Sequence, residues 1–223
     1  MVRVGGAALL VTGVGVVLAL VAARYRGIPI PAVTRDAAST LGAPVYTGIG
    51  SDLGALLWCA STAMCGLTAL AVRMRGGPSR LVSFLLASSV VSGWLLLDDF
   101  FLLHEAVLPV AVGIPQPVVY LVYVVFMVGY LAGYYPDIRR TDYLLLVCAL
   151  GSLALSTVVD AIREFGLLPD PDFMFLVEEG PKFLGIVLWF AYYGRVCLIT
   201  LASRDDLRPT ASRDRRGLAD VRH

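Results

Sequence analysis

The stretch Arg80–Glu105, RLVSFLLASSVVSGWLLLDDFFLLHE, decides how this chain is read. Residues 82–97 carry no charge, and the apolar run continues past Asp98-Asp99 to residue 104. A helix of about 20 residues, rising about 1.5 Å each, crosses the ~30 Å hydrocarbon core of a bilayer. The run then ends on ionisable residues, Asp98-Asp99 and His104-Glu105, at a depth where charge is expensive.

The same pattern recurs along the chain. Apolar runs at 5–23, 52–72, 116–135, 143–163 and 173–199 join the one at 82–104. We therefore expect an all-α, polytopic membrane bundle of about six transmembrane helices. It occupies residues 1–202 and is followed by a disordered cytoplasmic tail, 203–223, that mixes Arg with Asp and has few apolar residues. The composition agrees: 58% of the 223 residues are hydrophobic and only 16% are charged, against about 25% charged in soluble domains. The first run reads as an uncleaved span, because it is long for a signal peptide and lacks a good cleavage site. The segment 24–50, with Pro29, Pro31 and Pro44, reads as irregular and as lying on the membrane surface.

Net charge is +1, which gives no basis for a nucleic-acid partner; the expected partners are membrane lipids. The four cysteines all fall within apolar runs and form no C-x-x-C pair, so they read as small buried hydrophobes. Arginines set the orientation. Arg73, Arg75 and Arg80 lie between spans two and three, Arg139 and Arg140 between four and five, and a cluster follows span six. The positive-inside rule then places both termini in the cytoplasm, with Arg24, Arg26 and Arg35 dissenting.

Three outer helix ends carry the chemistry. Span three supplies Asp98, Asp99, His104 and Glu105, span five supplies Asp160, and span six opens with Glu178-Glu179-Gly180-Pro181-Lys182, which holds the only lysine. Counted from the arginine side, Asp98 lies ~24 Å along its span and Asp160 ~26 Å, while Glu178 enters ~8 Å from the opposite boundary. All three reach one level. At about 100° per residue, Asp98 and Glu105 share a stripe, and Asp99 and His104 flank it on opposite sides. One straight helix therefore cannot aim all four at one point. Glu178 and Lys182 form an i,i+4 pair in the favourable order.

Ionised groups at this depth must pair, share protons or bind a cation. One imidazole with several carboxylates suits a divalent metal such as Zn, Fe or Mn, with Asp98, His104, Glu105 and Asp160 as its ligands. A metal-free version also works, because clustered carboxylates near a lysine can divide acid and base roles between them. The expected function is a membrane-embedded, hydrolase-like enzyme acting on a lipid or membrane-borne substrate, with Glu178 or Glu179 as general base and Lys182 as charge partner. The alternative is an ion or proton transport or sensing protein using the same carboxylates. A transporter needs polar groups at several depths, and the inner halves of these spans read as apolar.

Glu178-Glu179-x-x-Lys182 resembles the E-E-x-x-K motif of PrsW-type membrane proteases and, more loosely, the paired-glutamate motif of CAAX-processing (CPBP) intramembrane proteases. The resemblance implies that Glu178 and Glu179 activate water. It covers five residues and departs from those families in order: here the paired glutamates sit in the last span, and the one membrane histidine, His104, precedes them. The overall pattern of Asp-Asp, His-Glu and Glu-Glu-x-x-Lys resembles multi-pass bacterial membrane proteins, which implies a bacterial cytoplasmic (inner) membrane.

Overall fold

The computed structural model describes residues 14–205 except 16, 19, 36, 45 and 165–170. The side chains of Glu105, Arg163, Glu164 and Glu178 lie outside the described residues, as do the tail 206–223 and most of the first apolar run. The described residues are helical, with no strand among them. Two compact units are distinguished, Met1–Ile49 and Gly50–His223. In the first, the segment expected to be irregular folds into two short helices, α1 (Ile30–Thr34) and α2 (Ala37–Leu41). Pro31 stands in the first turn of α1, where its fixed φ suits a helix start and its missing N–H leaves no gap.

The second unit is built from α3 (Ile49–Met74), α4 (Ser79–Phe101), a π-helix π1 (Leu103–Val112), α5 (Gln116–Ile138), α6 (Tyr143–Glu164) and α7 (Pro171–Asp205). Five of these, α3 to α7, are long and apolar enough to cross a membrane. In hydrocarbon an unpaired backbone N–H or C=O costs several kcal/mol, so a spanning segment satisfies its groups internally by forming a helix.

Each helix buries a narrow stripe and turns the rest outward. On α3 the stripe is Trp58, Ser61, Cys65, Thr68 and Val72, stepping by three and four residues. That spacing keeps side chains on one face of a helix. Trp58 meets Trp189 of α7 edge to face at 5.5 Å, and Phe84, Leu85, Leu146, Tyr192 and Tyr193 fill the centre. The large apolar side chains left exposed, such as Leu67, Val90, Leu121, Leu144 and Leu198, face outward where lipid would lie.

Small residues bring the helices together. A Cβ added at Gly185 of α7 would lie 2.7 Å from Leu153 Cγ and 3.1 Å from the Ala149 carbonyl of α6, so α6 and α7 touch nearly backbone to backbone. A Cβ at Gly66 of α3 would come 3.1 Å from Ser89 Oγ of α4, and that hydroxyl donates to the Thr62 carbonyl at 2.8 Å.

Polar side chains inside the bundle are paired at several depths, contrary to the apolar inner halves expected. Trp189 Nε1 donates to Ser92 Oγ at 3.0 Å. Deeper, Ser88 Oγ, Tyr130 OH and Tyr193 OH form a chain with 2.8 and 2.7 Å links. Near the arginine end Thr141 and Tyr192 hydroxyls meet at 2.9 Å. Serine and tyrosine score as weakly polar along a sequence, so a helical run containing them still reads as apolar. At the arginine end itself, Arg80 pairs with Asp137 at 2.8 Å and Arg195 with Asp142 at 2.6 Å, tying α4 to α5 and α7 to the start of α6.

Candidate functional site

At the other end α4 does not run on to residue 104. It stops at Phe101, and Leu102 adopts the left-handed conformation, φ 51° and ψ 47°. A non-glycine residue pays about 1–2 kcal/mol for that geometry. The break takes Glu105 off the helical stripe of Asp98 and starts π1 as a separate element, which packs on α4 and α5. Asp98 holds both sides of the break. Its carbonyl accepts the Leu102 N–H that closes α4, and its side-chain Oδ1 accepts the His104 N–H at 3.0 Å. The first N–H groups of a helix have no partner of their own, and they carry partial positive charge that a carboxylate neutralises.

The same carboxylate takes the histidine ring. Asp98 Oδ2 lies 2.7 Å from His104 Nδ1, and Tyr123 OH of α5 donates to Asp98 Oδ1 at 2.7 Å. Asp98 is therefore engaged by three donors while its residue is only 7% exposed. The imidazole lies among the rings of Tyr120 and Tyr123, with centroids 5.5 and 6.3 Å away. Tyr120 in turn donates to Asp160 Oδ2 of α6 at 2.9 Å and accepts from Gln116 Nε2 at 2.9 Å. The group thus draws on α4, π1, α5 and α6.

Asp99 faces the other way. Its Oδ1 lies 2.7 Å from Lys182 Nζ of α7, with side-chain exposures of 9% and 28%. A Cβ at Gly54 of α3 would sit 3.1 Å from Ile186 Cδ1 of α7 and at ordinary contact distance, 3.7 Å, from Asp99 Oδ2, so α3 lies against this ion pair. Neighbouring residues on a helix point about 100° apart. Asp98 and Asp99 use that angle to serve two pairs on different sides of α4: an acid–histidine–tyrosine group against π1 and α5, and an acid–lysine pair against α3 and α7.

Of the residues singled out from sequence, Asp98, His104 and Asp160 are gathered around Tyr120 and Tyr123, and Lys182 joins Asp99. Glu179 is exposed. Glu105 and Glu178 cannot be placed, because their side chains lie outside the described residues. Among the described residues no three His, Cys, Asp or Glu side chains are grouped to hold a metal ion. Gln116, Tyr120 and Tyr123 were missed. Their spacing of four and three residues puts them on one face of α5, and Tyr130 and Tyr134 extend that stripe. That periodicity was the available signal.

Fold and site define the class: a polytopic, all-helical membrane protein in which two buried aspartates at one end of the bundle pair with a histidine and a lysine that are partly exposed. Residues 8–196 match the family described as "Domain of unknown function (DUF8692)", and the chain belongs to that family. No curated protein and no solved structure matches it.

Proposed function

We propose that this protein is a membrane-embedded, hydrolase-like enzyme in which His104 is the proton-transfer group, acting on a lipid or other membrane-borne substrate. One observation carries the reading: Asp98 binds His104 Nδ1 at 2.7 Å while Tyr123 and the His104 N–H hold Asp98 in place. A carboxylate on Nδ1 fixes the tautomer with the Nδ1 proton, which leaves the Nε2 lone pair as the base and stabilises the imidazolium once it forms. His104 then takes a proton from water as that water attacks, and returns it to the leaving group. Tyr120, held by Gln116 and Asp160, packs beside the ring and limits how it can turn. Lys182 balances Asp99 and keeps a second charge from accumulating beside Asp98.

A divalent ion (Zn, Fe or Mn) is the other form of this proposal, with Asp98, His104, Glu105 and Asp160 as the residues that would hold it; it would occupy the His104 Nε2 lone pair and acidify the attacking water in place of the histidine base. Glu178 or Glu179 as general base rests on the Glu-Glu-x-x-Lys resemblance alone. The proposed setting is a bacterial inner membrane with both termini cytoplasmic, supported by the arginine distribution and by the ion pairs of Arg80 and Arg195 at the end opposite the site.

The test uses the protein in nanodiscs with glycerolipids and a membrane-spanning peptide, following released fatty acid and cleaved peptide by mass spectrometry. Turnover by the native protein that is lost in His104→Asn and Asp98→Asn, with the helical spectrum unchanged, is expected. Unchanged turnover in His104→Asn, or none from any substrate, overturns the reading.

A second reading has its own observation. The paired hydroxyls of Ser88, Tyr130 and Tyr193, with Ser92 on one side and Tyr192–Thr141 on the other, occur at several depths, as a proton path requires. Proton flux into liposomes that falls in both Asp98→Asn and Tyr193→Phe supports this second reading instead.

A further inference from the structure

Between α4 and α5, just below the Asp98–His104 group, runs a groove of about 640 Å³. Its walls include Val90, Trp94 and Leu97 of α4 and Val122, Tyr123 and Phe126 of α5. Ligand pockets for small molecules span roughly 300–1,000 Å³, so the space is of binding size. From Leu97 to Val90 the wall extends about 10 Å along α4, a third of the ~30 Å hydrocarbon thickness.

We propose that this groove holds one acyl chain of a lipid from the adjacent leaflet, with the polar end of that lipid presented to His104. The proposal rests on the reading of Asp98–His104 as the reacting pair and adds the class of substrate and its pose.

Three features point to a lipid chain. The first is polarity. The walls are apolar throughout, and two of them adjoin the site: Leu97 precedes Asp98, and the Tyr123 hydroxyl is bound to Asp98 at 2.7 Å. An apolar groove whose lining adjoins a polar pair matches an amphiphile lying with its head at the site. The second is depth. Both walls belong to membrane-spanning helices, and Val90, Trp94, Leu97, Val122 and Phe126 all remain substantially exposed. Water gains nothing in such a space, whereas hydrocarbon restores the contacts its lining lacks.

The third feature is length. The lining covers only about 10 Å of α4, from Val90 to Leu97, and ends next to Asp98. A transmembrane helix is 10–12 Å across and needs a wall along much more of the ~30 Å it spans. A flexible chain that stops at the polar site has no such need. Trp94 packs edge-on against Tyr123, with centroids 5.9 Å apart, so the chain would touch the residue that holds Asp98.

The test places the native protein in nanodiscs containing phosphatidylglycerol with a diazirine on one acyl chain, illuminates, and maps adducts by mass spectrometry. Adducts enriched several-fold on residues 90–97 and 122–126 over the lipid-facing side of α6 (Leu144, Val147, Leu155) are expected. Val122→Trp fills the groove and should abolish that enrichment while leaving labelling of α6 unchanged. His104→Asn should keep the enrichment even as it removes turnover, so a wrong assignment of His104 and a wrong assignment of the groove give different results. Uniform labelling of all outward faces overturns the proposal. So does a groove protected from lipid that crosslinks to residues 5–23 or to a second copy of the chain.

Discussion

Asp98 does two jobs that are hard to separate. Its carbonyl closes α4, its Oδ1 accepts the His104 N–H at the start of π1, and its Oδ2 orients the His104 ring. Asn at this position keeps an oxygen for the His104 N–H, but its amide loses the charge that holds Nδ1–H. We expect 15N NMR of the protein labelled in its two histidines to show His104 as the Nδ1–H tautomer in the neutral form, and to show a mixture in Asp98→Asn; a mixture in the native protein would remove the base from the mechanism. Asp99 offers a cleaner energetic measurement. Asp99→Asn removes the carboxylate 2.7 Å from Lys182 Nζ in a mostly buried setting, and the expected loss is about 2 kcal/mol, below the 3–5 kcal/mol of fully buried pairs because Lys182 is 28% exposed. In Asp99→Asn/Lys182→Met part of that loss should return, and simple additivity of the two single changes would show that the pair is not coupled.

At the scale of the element, the break at Leu102 makes the site possible, since an unbroken helix cannot aim Asp98, Asp99 and His104 at their partners together. Leu102→Gly should be tolerated because glycine adopts positive φ without strain, whereas Leu102→Ile, β-branched, should cost about 1–2 kcal/mol and weaken the Asp98–His104 contact. Thermal unfolding in detergent measures the first effect and the histidine signal the second. The α6–α7 contact makes a further prediction. Gly185→Ala drives a methyl into Leu153 and the Ala149 carbonyl, and helix axes cannot part cheaply around a backbone group. The expected cost is about 1–3 kcal/mol, whereas alanine at Gly151, which has nothing within 4 Å, should change little.

Across the whole molecule, ion pairs of arginine with aspartate gather at one end of the bundle, and the carboxylate, histidine and lysine side chains gather at the other. This separation supports the proposed orientation, which cysteine labelling can test. In a variant lacking the native cysteines, Val112→Cys beside the site should react with a membrane-impermeant maleimide added to intact cells. Arg140→Cys should react only after lysis; the reverse pattern would invert the topology.

The sequence by itself determined that this chain forms membrane-spanning helices and that acidic residues, one histidine and the only lysine gather near one end of three of them, opposite most of the arginines. Transfer into hydrocarbon is a sum over neighbouring residues, so a run such as Leu81–Leu97 declares itself, and a charge in such a run stands out whatever it touches. Asp98, His104, Asp160 and Lys182 were legible for that reason. Tyr120 and Tyr123 were not, because tyrosine is ordinary near a membrane boundary and only its spacing on α5 sets these two apart. The break at Leu102 was hidden too, since neither glycine nor proline marks it. Only the tertiary structure decided which carboxylate meets which partner: Asp98 with His104 and Tyr123, Asp99 with Lys182. Those pairings depend on how each helix is rotated and where α4 stops, and packing between distant segments sets both, through contacts such as Gly54 against Ile186 and Gly185 against Leu153.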